Sequence, residues 1–141
     1  MRSNIPHELK ILLSDRNIMK VGIDIVQDAN FLREDFNLDV RGAVDVRFLA
    51  RDLKHSNGGL QKLSKELLAL DIGRDWQLMA SDWEQDPLEQ DQIKYAETAV
   101  KASFDIFMKL IGEKFWFPTI QFQRIRDYVE QWIDVRCANI Q

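Results

Sequence analysis

Asp24 and Asp28 are two carboxylates four residues apart, the first spacing in the chain that could hold a ligand. Carboxylate oxygens suit hard cations such as Mg2+ and Mn2+. A metal site needs more donors than these two, and Asp24 falls inside the apolar stretch Val21 to Val26. Asp28 stands directly before an apolar-periodic run, where a carboxylate can cap a helix by accepting backbone N–H bonds. Metal ligand and helix cap therefore compete as readings of Asp28, and the cap is the default. His7 and His55 are isolated, with no second ligand at metal spacing. Cys137 has no activating neighbour in the sequence and reads as an inert thiol. Lys54, Lys62, Lys65 and Arg74 surround a helix that starts near Gly58-Gly59. They are candidates for phosphate contact, but the interspersed acids Glu66, Asp71 and Asp75 favour an ordinary solvated face. Tyr95 heads an apolar line of a long helix, which points to core packing.

Composition narrows the classes of function. The chain has 141 residues, the size of one domain, and its 45% hydrophobic and 30% charged residues suit a folded globular protein. Net charge is -4 and the pI about 5.2, which excludes a protein that coats nucleic acid through bulk basicity. A single cysteine excludes an intrachain disulfide and suits a reducing compartment. No apolar run approaches a membrane span, and the first residues carry Pro6, His7 and Glu8 where a signal peptide would be apolar. The expectation is a soluble intracellular protein, nuclear or cytoplasmic, without a membrane partner.

The elements that would position these residues follow from periodicity and turn chemistry. Pro6 to Leu13 reads as a short helix with Leu9, Leu12 and Leu13 on one side. Val21 to Val26, rich in β-branched residues, reads as a buried strand, and Ala29 to Phe36 as a helix capped by Asp28. Ala43 to Leu49, entered through Gly42, reads as a second strand or a strand-to-helix junction. Ser56-Asn57-Gly58-Gly59 is a turn. Leu60, Leu63, Leu67 and Leu70 then repeat at helical spacing, with Gly73 as the stop. Asp86-Pro87-Leu88-Glu89 predicts a helix start with a capping box, and the helix runs to Ile111 before Gly112. Ile93, Ala96, Val100, Phe107 and Ile111 form one apolar line of it. Tyr95, Ala99, Ala102, Ile106 and Leu110 form a second. A last helix places Ile125, Tyr128, Val129 and Trp132 on one face. The order α-β-α-β-α-α-α implies an α/β layer fold.

Four ordered blocks go further than pattern. Lys20-Val21-Gly22-Ile23 with Asp28 and Phe31-Leu32-Arg33-Glu34-Asp35-Phe36 resembles the second motif region of the 3′–5′ exonuclease domain family of the Werner-syndrome-protein and ribonuclease D type. Val40-Arg41-Gly42 with Asp45-Val46-Arg47-Phe48-Leu49-Ala50 is similar to the segment that follows it. Gly59-Leu60-Gln61-Lys62-Leu63-Ser64 resembles the stretch before the mid-domain helix. Ser81-Asp82-Trp83-Glu84, Leu88, Asp91-Gln92 and Tyr95-Ala96 resemble the third motif region. The resemblance covers roughly residues 5 to 111.

It implies a ribonuclease-H-like α/β fold and metal-dependent removal of nucleotides from a 3′ end. Such domains hold two divalent ions with four carboxylates and a tyrosine. One ion activates the attacking water, and the other stabilises the leaving oxygen. Carried over, Asp28 matches the second-motif carboxylate and Tyr95 the third-motif tyrosine, the two catalytic candidates, with Asp28 the one metal ligand. The partner carboxylate belongs four residues after Tyr95, on the same helix face, where this chain has Ala99. Glu97 points away from that face. The first motif, an Asp-x-Glu pair, should precede the Val21 strand by several tens of residues, and Met1 to Lys20 holds no such pair.

The resemblance thus implies a partial exonuclease fold that lacks its N-terminal strands, over residues 1–112, with an aromatic-rich helical extension over 113–141. The function expected is a catalytically inactive exonuclease-like module that binds nucleic acid, through Lys62, Lys65 and Arg74, or binds protein. No cofactor is expected, or Mg2+ or Mn2+ should the chain be active. Two alternatives stand beside it. One is a fragment of an active exonuclease. The other is a structural subunit that pairs through an exposed sheet edge. Trp116, Trp132, Phe115, Phe117, Phe122 and Tyr128 offer a partner surface or a substitute for core, with neither preferred.

Overall fold

The computed structural model describes residues 5–115 and 122–137. Two short parallel strands carry the fold. Strand β1 (Lys20–Gly22) pairs with β2 (Ala43–Asp45) in the register Lys20↔Ala43, Val21↔Val44, Gly22↔Asp45. Helix α1 (His7–Ser14) precedes β1, and α2 (Ile25–Phe36) makes the crossover to β2. Helix α3 (Val46–Asp52) leaves β2 without a loop. Helices α4 (Leu60–Leu68), α5 (Trp76–Met79), α6 (Gln90–Lys114) and α7 (Phe122–Val129) follow, and a 3-10 turn (Glu130–Trp132) closes the described chain. The α/β class expected from the sequence is the observed one.

Gly42 is required where the chain enters β2. Its φ is +78°, and a Cβ there would stand 3.0 Å from the carbonyl oxygens of both Arg16 and Ile18. The left-handed backbone and the close approach to two backbone oxygens together disfavour any side chain there. Beyond Gly42, the outer edge of β2 is closed by one residue from the far end of the chain. Asp134 accepts the N–H of Gly42 and of Ala43 (3.2 and 2.9 Å) and donates its own N–H to the Ala43 carbonyl (2.8 Å). Among the described residues β1 pairs only with β2.

One core joins the layers. Val44 and Val46 from the strand junction meet Leu49 of α3, Leu63 and Leu67 of α4, and Ile106, Phe107, Leu110 and Ile111 of α6. Ile125 and Val129 of α7 complete it. Burying each such side chain contributes about 1.5–3 kcal/mol. Phe115, Tyr128 and Trp132 pack on this core. Trp132 stacks on Phe48 with centroids 5.9 Å apart, and Tyr128 stands edge-on to Trp132 at 5.2 Å. Phe122 is 85% exposed. Trp116, Phe117 and Pro118 lie outside the described residues.

Several local expectations are corrected. The strand expected over Val21 to Val26 ends at Gly22, because Asp24 takes a left-handed conformation (φ 58°) and starts helix α2. Asp28 is therefore not the helix cap but a first-turn residue of α2. Helix α4 stops at Leu68, not Gly73. Ala69 turns left-handed (φ 52°) and returns its N–H to the Ser64 carbonyl. Asp86 and Pro87 lie outside α6. The capping box forms three residues later, between Glu89 and Gln92, and α6 runs through Gly112 to Lys114. Gln92 is 1% exposed and gains more from this placement than a surface cap would. Its amide donates to Ser81 Oγ and the Asp82 carbonyl (2.9 Å each), and its Oε1 accepts from Gln85 and the Glu89 N–H. The second apolar line of α6 is the core line. The first divides: Phe107 and Ile111 are buried, while Val100 is 71% exposed.

Candidate functional site

The sequence places Asp45 at the last position of β2, where a carboxylate can cap the helix that follows. Asp45 does so, accepting the Arg47 N–H at 3.0 Å. It also binds the Arg47 guanidinium bidentately, Nε to Oδ1 at 2.9 Å and Nη2 to Oδ2 at 2.5 Å. Both residues are buried. The Asp24 N–H donates to Asp45 Oδ2 at 2.8 Å, and Arg47 Nη2 reaches Asp24 Oδ1 at 3.3 Å. This ties the left-handed turn after β1 to the strand-to-helix junction after β2. The hydrogen bond to Asp45 raises the Arg47 pKa against the opposing cost of burial. The guanidinium is thus a permanent cation amid Asp24 and Asp45.

Asp28 stands one helical turn beyond Asp24. The residue is exposed as a whole, yet its carboxyl is partly enclosed. That desolvation, then repulsion from Asp24 and Asp45, raises its pKa above the ordinary value.

Tyr95 and Ala99 lie elsewhere, on α6. Spaced four apart on one helix face, they line a cavity of about 290 Å3 with Leu60 of α4, Leu78 of α5, and Asp75, Asp91 and Lys94 at its walls. Tyr95 packs against Trp83 at a centroid distance of 6.0 Å. Asp28 does not line this cavity. The structure thus brings Tyr95 and the position of Ala99 together, and places Asp28 with Asp24 and Asp45.

Lys62 and Lys65 are exposed on α4. Arg74 precedes α5, with its guanidinium 5.0 Å from the centre of the Trp76 ring. The buried Asp45–Arg47 pair was not foreseen from the sequence. An acid two residues before an arginine, at a strand end, was its only signal.

The metal pair implied by the resemblance can be tested against these donors. Both Asp45 oxygens accept from Arg47 or the Asp24 N–H, and Arg47 Nη2 also stands 3.3 Å from one Asp24 oxygen. Among the described residues no group of three or more His, Cys, Asp or Glu side chains is placed to hold an ion. The described residues alone do not fit a two-metal cage. No described helix is long and apolar enough to cross a membrane.

Comparison with known proteins gives the family. A family model described as 3′-5′ exonuclease matches residues 1–113. The Drosophila melanogaster exonuclease 3′-5′ domain-containing protein 2 is 37% identical over 106 residues, which are 75% of this chain and 18% of that protein. The Homo sapiens protein of the same name is 33% identical over 115 residues, 79% of this chain and 18% of that one. The Mus musculus bifunctional 3′-5′ exonuclease/ATP-dependent helicase WRN is 33% identical over 110 residues, 77% of this chain and 8% of that one. Among solved structures, the EXD2 exonuclease domain soaked in Mn is 30% identical, with a TM-score of 0.41, over 89% of this chain and 61% of that domain. The same domain soaked in Mg and dGMP has a TM-score of 0.45 at 28% identity, over 95% of this chain and 65% of that domain. The chain thus spans a small part of its curated relatives and less than two thirds of these solved domains. With four fifths of its length matched by the family model, this chain belongs to the 3′-5′ exonuclease domain family.

Proposed function

We infer that this chain is an exonuclease-family domain that does not cleave nucleic acid and serves nucleic-acid metabolism as a binding or interaction module. The observation that carries the reading is the Tyr95–Ala99 pair. Both side chains face one cavity, and the position that would present a metal carboxylate beside the tyrosine presents a methyl group. Asp75 and Asp91 share the cavity wall, but among the described residues no third His, Cys, Asp or Glu joins them. Two-metal hydrolysis needs one ion to generate the nucleophile and one to neutralise the leaving oxygen. Asp28 and Tyr95 would supply one carboxylate and one hydroxyl, and Asp28 does not line the cavity that Tyr95 lines. Soaks of the EXD2 exonuclease domain used Mn and Mg, so these are the ions to supply.

The test is release of nucleotides from a 3′-labelled single strand with Mn2+, comparing the chain with its Ala99→Asp and Asp28→Ala variants. Silence from the unaltered chain, with salt-sensitive strand binding, is the expected outcome. Release that Asp28→Ala abolishes would overturn the reading and restore an active exonuclease.

A second reading has one specific support. Among the described residues the outer edge of β1 has no strand partner, and a free edge favours pairing with another chain. Sedimentation as a stable monomer at all concentrations would reject it.

A further inference from the structure

The stretch around α5 differs in charge from the rest of the chain. Between Asp71 and Asp91 the chain places seven carboxylates and one base, Arg74. That stretch carries -6 within a chain of -4, so the remainder is net positive. All seven carboxylate residues are exposed. Large apolar side chains stand among them in the open. Trp76 is 64% exposed, Met79 and Trp83 more than a third, and no residue of α5 is buried. The cavity that Asp75, Leu78, Asp91 and Tyr95 line opens beside them. Exposed tryptophan is costly in water and is the residue type that most often anchors an interface.

We propose that this α5 face docks a basic segment of a partner protein, an extended stretch carrying arginine or lysine next to apolar residues. Charge complementarity selects that occupant. Guanidinium and ammonium groups find carboxylates around an aromatic face, an arrangement that binds them through charge-assisted hydrogen bonds and cation–π contact. The molecule already shows the contact within itself, since the Arg74 guanidinium lies over the Trp76 ring at 5.0 Å. The apolar residues of the segment would pack on Met79 and Trp83. A nucleic-acid strand could stack on Trp76, but its phosphates would meet exposed carboxylates from a stretch of net -6. The inference stands whether or not the chain cleaves nucleic acid.

The experiment titrates the full chain into a labelled peptide of alternating Arg and Leu, and into a labelled oligothymidylate of similar length, following fluorescence anisotropy. Peptide binding should weaken at least about tenfold on Trp76→Ala. It should weaken again on Glu84→Lys or Asp91→Lys, and fall as salt is raised. Glu84→Gln and Asp91→Asn, which keep side-chain size, should show the same direction with smaller effect. Absence of peptide binding overturns the proposal. So does peptide binding that none of these variants changes, because it would be unspecific attraction. Oligothymidylate binding that is tighter than the peptide's and lost in Trp76→Ala overturns it in favour of a nucleic-acid platform.

Discussion

Arg47 holds Asp45 through two parallel hydrogen bonds, 2.9 and 2.5 Å long, at the point where β2 becomes α3. Both groups are buried, so neither is free to lose the other. Removing one partner of a buried pair strands a charge and costs about 3–5 kcal/mol. Arg47→Ala should lower unfolding free energy by that amount in urea titration. A loss below about 1 kcal/mol would mean that water or Asp24 relieves Asp45, and that the pair is not the brace of this junction.

Asp134 closes the β2 edge with its carboxylate and its own N–H. Asp134→Ala removes the acceptor for two N–H groups and should cost about 1–3 kcal/mol. Hydrogen exchange at Gly42 and Ala43 should rise with it. Unchanged protection there would show that the carboxylate is not their acceptor in solution.

His55 lies between two carboxylates, Nε2 at 2.6 Å from Glu113 of α6 and Nδ1 at 3.4 Å from Glu66 of α4. The hydrogen bond to Glu113, against a smaller effect of burial and with Glu66 adding, raises its pKa above the ordinary value. A raised histidine stabilises the fold in full below its unfolded pKa of about 6.5, and the contribution disappears as pH rises through the folded value. The urea midpoint of the native chain should therefore exceed that of His55→Gln most at about pH 5.5, with the gap narrowing by about pH 8.5. The ring is partly enclosed, its two carboxylate partners are partly exposed, and the effect is modest. A gap independent of pH would count against the clasp.

Asp28 works in the opposite sense to an ordinary paired carboxylate. Burial, then Asp24 and Asp45, raise its pKa, so ionisation at neutral pH opposes folding. Stability should be greatest below its unfolded pKa and decline as pH rises through the folded value. Asp28→Asn is expected to raise the thermal midpoint at about pH 7 and to leave it unchanged at about pH 3. A drop at neutral pH would show a favourable contact that the carboxylate makes and the amide cannot.

Local rules governed what could be read in advance. Ala102, Ile106 and Leu110 were legible as core because burial along one helix repeats with its own pitch, and these residues are buried. Gly42 was legible as the entry to β2, and the strand-to-helix junction after it followed from the next few residues. Family membership was legible too, because ordered blocks of residues carry it without any geometry.

The side-chain partners were not legible, because they are chosen across elements far apart in sequence. Asp24 reads as strand until Asp45 captures its N–H from 21 residues away. The start of α6 moved from Asp86 to Glu89, where buried Gln92 finds partners at Ser81 and the Asp82 carbonyl that the proline signal did not reveal. Val100 has the right spacing for core, yet no described element covers it, since spacing defines a face and only packing decides whether the face is buried. The sequence by itself determined the family and the α/β class, and it singled out Asp28, Tyr95 and Ala99 as the positions to examine. Only the tertiary structure decided that Tyr95 and Ala99 share a cavity from which Asp28 is absent, and that Arg47 stands where Asp24 and Asp45 converge.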